Sequence, residues 1–172
     1  MPLRCFKPYT VTTVAQPLIS TTLSAAITGN DATTQTVPVA DSSMFVNSDT
    51  VNMSAVTGGP STELAVQIQV LSATTVSGVF KKNHASGEYM ILSYPCMNTN
   101  VVSVGLHTLT ASVFLGFGPV LPTTVGVNAF WDLSANGNWA PPMALYDSDN
   151  TANYWIIAAS GTQYYLPSAK QG

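Results

Sequence analysis

The sequence predicts an all-β protein, an antiparallel β-sandwich or small barrel with an extended N-terminal arm. Three observations lead there. Thr, Val, Ile, Phe and Tyr are abundant; Gly and Pro recur every few residues; and no long stretch sets apolar residues at i, i+3, i+4 and i+7 among good helix formers. The pattern is one of strands.

The arm extends through about residue 35. Within it residues 18–27 come nearest to a helix, with Leu18, Ile19, Leu23, Ala26 and Ile27 on one face. Their Thr and Ser content disfavours a helix, and Gly29-Asn30-Asp31 ends the run, so a strand or arm is expected. A module over residues 36–95 follows, built of short β-prone runs between turns. Residues 37–39 make one strand. The side chains of Asp41-Ser42-Ser43 can bond the local backbone and so make a turn, after which Phe45 is a core plug. Residues 50–56 form the next strand, and Thr57-Gly58-Gly59-Pro60-Ser61 is the strongest loop signal in the chain. Residues 63–71 alternate, with Leu64, Val66, Ile68 and Val70 on one face and Glu63, Ala65, Gln67 and Gln69 on the other, as in a half-buried antiparallel strand. Strands at 75–80 and 88–92, joined through Lys81-Lys82-Asn83-His84-Ala85-Ser86-Gly87, complete the module.

Pro95, Asn98 and Asn100 give a linker-like composition near residues 94–100. Residues 96–172 then form an aromatic-rich β module packed on the first. Residues 101–115 are apolar with small polar interruptions, one long strand or two shorter ones, until Gly116-Phe117-Gly118-Pro119 breaks them. In the tail Trp131, Trp139, Tyr146, Tyr154, Trp155, Tyr164 and Tyr165 alternate with Asn, Gly, Pro and Asp, a pattern of short strands and tight turns.

Composition narrows the function. The 172 residues are 46% hydrophobic, enough for a sizeable core, yet only 8% are charged, about a third of the usual share. A free monomer relies on charge for solubility, whereas a subunit held in a lattice can present neutral polar and apolar faces. A secreted β-protein rich in Thr and Ser has the same texture. With five Lys and Arg and a net charge of −3, no electrostatic footprint for nucleic acid exists; Lys81 and Lys82 are read as a solvated turn. Residues 89–131 hold no Asp, Glu, Lys or Arg, but Pro95, Asn98, His107, Pro119 and Pro122 interrupt any membrane-spanning run. The first eight residues lack the apolar run of a secretory signal, so export by that route is not expected of the sequence as written.

No catalytic residues, cofactor or metal are expected. Eight acids and two His show no spacing that suggests a hydrolytic site. Cys5 and Cys96 lack an activating His in local sequence and are read as reduced thiols. Asp147-Ser148-Asp149-Asn150 begins like a calcium loop but lacks the distal Glu, so it is read as a polar turn. Asn52-Met53-Ser54 fits a glycosylation triplet that chance also produces.

The stretch Val37-Pro38-Val39-Ala40-Asp41-Ser42-Ser43-Met44-Phe45, then Asp49-Thr50-Val51, then Glu63 with its strand, then His84-Ala85-Ser86-Gly87-Glu88-Tyr89-Met90, resembles a small β module of tailed-bacteriophage structural proteins. There a Val-rich strand leads to an Asp-Ser-x-Phe turn, a Gly-Asp-x-Val strand, a Glu-started strand and a closing His-x-x-Gly turn. The match covers roughly a third of the chain, and Ser48-Asp49 stands where the pattern has Gly-Asp. The resemblance implies a virion protein, assembled in the host cytoplasm: a capsid decoration protein first, a head-fibre or tail accessory otherwise. Its partners would be the major capsid protein and further copies of itself in a homo-oligomer, with no direct contact to nucleic acid or membrane. Physically, Asp41 and Ser42 cap a turn, Phe45 seals a barrel end, Gly87 supplies an unusual backbone angle, and His84 is a hydrogen-bonded turn residue.

The competing reading is a carbohydrate- or receptor-binding module of a phage tail or fibre, or of a secreted β-protein. Exposed Trp and Tyr stack on sugar faces while Asn and Asp bond hydroxyls, and Trp139, Tyr146 and Trp155, each flanked by turn residues, are the first suspects. Large aromatics in β-proteins more often fill cores or subunit interfaces, and the packing reading is preferred.

Overall fold

Fifteen strands and no helix run through the residues described by the computed structural model, which are 3–5, 7–55, 61–93, 103–110, 113–118, 131–134, 136–139 and 153–170. The chain begins with β1 (Leu3–Cys5), β2 (Tyr9–Val11) and β3 (Gln16–Pro17). Six strands follow: β4 (Ser20–Thr22), β5 (Gln35–Pro38), β6 (Thr50–Ser54), β7 (Glu63–Ser72), β8 (Thr75–Gly78) and β9 (Tyr89–Leu92). The last six are β10 (Ser103–Thr108), β11 (Val113–Gly118), β12 (Trp131–Leu133), β13 (Asn138–Trp139), β14 (Asn153–Ala158) and β15 (Gln163–Lys170).

The middle six strands pair antiparallel in the order β4-β9-β6-β7-β8-β5. Its two edges meet. A bridge joins Leu23 to Val39, with Ser24 N donating to Pro38 O at 3.0 Å and Ala40 N to Thr22 O at 2.9 Å, so the sheet curls into a small barrel. Val37, Val51, Met53, Ile68, Val76 and Met90 fill its interior at 1% exposure or less. Phe45, expected as a plug, is buried among them.

One bulge changes the face that β7 presents. Val51 pairs with Val66 but Met53 with Glu63, so Leu64 and Ala65 together oppose Asn52. Ala65 takes a positive φ of 57°, and Asn52 Oδ1 stabilises the bulge by accepting from Ala65 N at 3.0 Å. The alternation read from sequence holds from Ala65 to Gln69. Ahead of the bulge it inverts, turning Glu63 inward and leaving Leu64 partly exposed, the reverse of the simple period-two expectation.

The last six strands form two further sheets with help from the N-terminus. In one, β15 lies between β10 and β1, with β2 also paired to β15 and β13 beyond β10; in the other the order is β12-β11-β14-β3. Residues 101–115 thus supply two strands. The second runs on through Gly118 rather than breaking at Gly116, which pairs directly across from the buried Trp155.

The N-terminal segment is extended, and its strands pair with this same chain: β1 and β2 with β15, β3 with β14, β4 with β9. It therefore crosses from the tail sheets to the barrel between Pro17 and Ser20. At that crossing Tyr165 Oη donates to Leu18 O at 3.1 Å and receives a bond from Gln16 Nε2 at 3.2 Å. Tyr89 meets Trp155 edge to face at 6.2 Å, and one buried cluster extends from Val37 and Ile68 to Val113, Ile156 and Tyr165.

Candidate functional site

The three aromatic residues suspected of sugar contact do not form one described surface. Trp155 is fully buried in β14, with no ring face open to a ligand. Trp139 belongs to the edge strand β13, opposite Leu106, and nothing is described of its side chain. Tyr146 lies outside the described residues, as do Asp147-Ser148-Asp149-Asn150, Cys96 and most of the Thr57-Gly58-Gly59-Pro60-Ser61 loop. Asn52, the possible glycosylation acceptor, is completely buried; its Oδ1 accepts from Ala65 N and from Ser93 Oγ.

The residues of the β-module motif occupy the turns that shape the barrel. Asp41 Oδ1 accepts from Ser43 N at 2.9 Å, closing the expected turn, while the Ser42 hydroxyl bonds Ser72 O. Asp41 Oδ2 pairs with the ammonium of Lys7, joining the N-terminal segment to this turn. Burial alone would raise the Asp41 carboxyl, but bonds from Lys7 and from the Ser43 hydroxyl and amide outweigh it and hold the group below its usual range. Ser48 adopts a φ of 70° at the place where the motif has glycine. Asp49, fully buried, accepts from Val46 N at 2.8 Å and so braces that tight turn. Gly87 sits at a φ of 87°, the angle its lack of a side chain permits.

The densest polar cluster is Glu63, His84 and Glu88. His84 Nε2 lies 2.8 Å from Glu63 Oε2, and Nδ1 lies 2.8 Å from Glu88 Oε2, with no imidazole surface exposed. Carboxylates only accept, so both contacts are hydrogen bonds together when each ring nitrogen carries a hydrogen. The other carboxylate bonds are with backbone: Glu63 accepts from Lys81 N at 2.7 Å and Lys82 N at 3.2 Å, Glu88 from Ala85 N at 3.1 Å. His84 also exchanges backbone bonds with Ile27 in both directions, at 2.8 and 3.0 Å. The cluster locks the loop between β8 and β9 onto β7 and onto the chain beyond β4.

This arrangement suits bracing more than reaction. Neither ring nitrogen of His84 is open to a substrate, and no nucleophile is bonded to it. His84 is the hydrogen-bonded turn residue the sequence predicts. Glu63, read from its spacing as facing outward, is the residue that a period-two reading misplaces, and a start-of-strand Glu paired with a later His-x-x-Gly is the signal that points to it. Among the described residues no group of three His, Cys, Asp or Glu is placed to hold a metal ion. Compared with family models, curated proteins and solved structures, the chain finds no match in any of the three.

Proposed function

We propose that the chain is a non-catalytic structural protein of a bacteriophage virion, most specifically one that decorates the capsid and stabilises its lattice. One observation carries this reading: charge is scarce in this chain, and among the described residues five of the charged side chains are engaged within the fold. Glu63, His84 and Glu88 bond one another, Asp49 caps a buried turn, and Lys7 is paired with Asp41. The described surface is accordingly dominated by neutral polar and apolar groups, with an 8% charged composition behind it. Val14, Leu71 and Tyr164 stand exposed upon it. Such faces dock through shape, hydrogen bonds and apolar contact, on a shell and on sister copies. The placement of the phage-like motif at the turns of a closed barrel supports the same reading.

The mechanism is mechanical. A subunit bridging neighbours resists their separation, and with few charges at the contact its attachment depends weakly on ionic strength. Mass spectrometry of proteins released from purified phage particles of the source tests it, with copy number referenced to the major capsid protein. Abundance on the scale of the capsid protein is expected. A handful of copies moves the chain to a tail or fibre, and absence from particles overturns the reading.

A further inference from the structure

We propose that the outer face of β7 and β8 is a binding site for an acidic saccharide. A groove of about 680 Å³ lies there, within the range of small-ligand sites. The inference stands apart from the virion reading and from the three aromatic residues considered above.

The groove's lining determines the ligand class. Gln67 and Gln69 project from alternate positions of β7, and Ser77 stands across from Gln69 on β8, with Thr34 beside them. Amides and hydroxyls both donate and accept, as sugar hydroxyls do, so neighbouring groups can satisfy one another in pairs. Leu64 and Val79, both partly exposed, offer apolar surface for the C–H face of a ring. Lys81 and Lys82 border the groove and can meet a carboxylate. The lining acid, Glu63, does not oppose one, because both its oxygens already accept from loop amides and His84.

An extended peptide fits less well. β7 is paired on both sides, with β6 and β8, and β8 with β7 and β5, so the groove has no open edge onto which a peptide strand could add. Recognition must come from side chains. The bulge matters here too: by inverting the faces of Glu63 and Leu64 it turns the Glu63 carboxylate inward onto the loop amides and His84 and brings the apolar Leu64 side chain out toward the groove.

Nitrogen-15 NMR of the full chain tests this, with trigalacturonate, an alginate trimer and a sialylated trisaccharide as probes, each beside a neutral analogue. At least one acidic probe should shift the Gln67 and Gln69 side-chain amides saturably at roughly millimolar concentration or below. Gln67→Ala with Gln69→Ala, on an exposed face, should weaken it about tenfold while leaving the backbone spectrum of the barrel intact. Lys81→Gln should weaken the acidic probe and leave its neutral analogue unchanged. No saturable shift with any acidic probe overturns the proposal. So does an equal response to inorganic sulfate, which would mark charge attraction alone, or to a polyglutamate peptide, which would make the site a protein contact.

Discussion

The barrel and the tail sheets are both antiparallel β-structure, but they are specified differently. The barrel is built from one continuous stretch of the chain, from β4 to β9, and its turns carry their own polar braces: Asp41 on Ser43, Asp49 on Val46, Glu88 on Ala85. The tail sheets depend on strands more than a hundred residues away. β15 takes β1 and β2 along one side, and β14 takes β3. Local signals suffice for the first region, whereas the second forms only when both ends of the chain come together, a high-contact-order arrangement.

Removing residues 1–17 separates the two most sharply and should have the largest effect. The deletion takes away β1, β2 and β3 together with the buried Val11 and Ala15. The near-ultraviolet dichroism of the buried Trp155 should collapse, while barrel amides keep their dispersion in an NMR spectrum. Loss of both regions at once would mean that the shared core makes them a single cooperative unit.

Glu63→Ala attacks the barrel instead. It leaves His84 with one carboxylate partner and strands two loop amides, and leaving buried donors without an acceptor costs about 1–3 kcal/mol each. Urea titration should show the barrel and the tail destabilised together if the core couples them, and Trp155 fluorescence unaffected at low denaturant. A loss below about 1 kcal/mol would show that the cluster contributes no more than an exposed pair.

The difference between the regions also explains what could be read in advance. Five of the six barrel strands were legible, because each is a short β-prone run ended by a turn whose residues act locally, such as Asp41 or Gly87; β4 was read only as part of the arm, since its partner β9 lies about seventy residues on. The inward turn of Glu63 was not legible, since the bulge that causes it depends on Asn52 across the sheet, a residue that nothing in its local sequence marks as a bulge partner. In the tail, strand character was legible but pairing was not. Trp155 opens the apolar run Trp155-Ile156-Ile157-Ala158, a local sign of burial that the turn residues beyond its flanks obscured; its position opposite Gly116 and Pro17, and against Tyr89, follows from partners far away in sequence.

Tyr165 lies where the two regions meet, and Tyr165→Phe probes that junction through pH. Burial pushes its phenol far above the ordinary value of 10.0, outweighing the opposing bond from Gln16. A raised folded-state value means the contribution is fully present below pH 10.0 and is lost progressively as pH rises above it, because the unfolded chain ionises there and the folded one does not. The substitution removes the bond to Leu18 O and should cost about 1–3 kcal/mol at neutral pH. Above pH 10.0 the variant should lose stability less steeply than the parent. Parallel decline in both proteins would place the alkaline transition elsewhere, at Tyr89 for instance, whose phenol burial also raises.

The smallest predicted effect concerns the departure from the motif. Ser48 holds a φ of 70°, and a left-handed backbone costs a residue with a side chain about 1–2 kcal/mol. Glycine removes that strain but adds freedom to the unfolded chain, which offsets about 0.4–1 kcal/mol. Ser48→Gly should therefore stabilise by about 0.5–1 kcal/mol, read as a higher urea midpoint with an unchanged slope. The serine hydroxyl gives little to lose, its contact from Gln69 Nε2 being long at 3.5 Å. A destabilised variant would show that the Asp49 cap and the bond from Ser48 N to Ile68 O already hold this turn without strain, so that the barrel tolerates serine there through its braces and not despite its backbone.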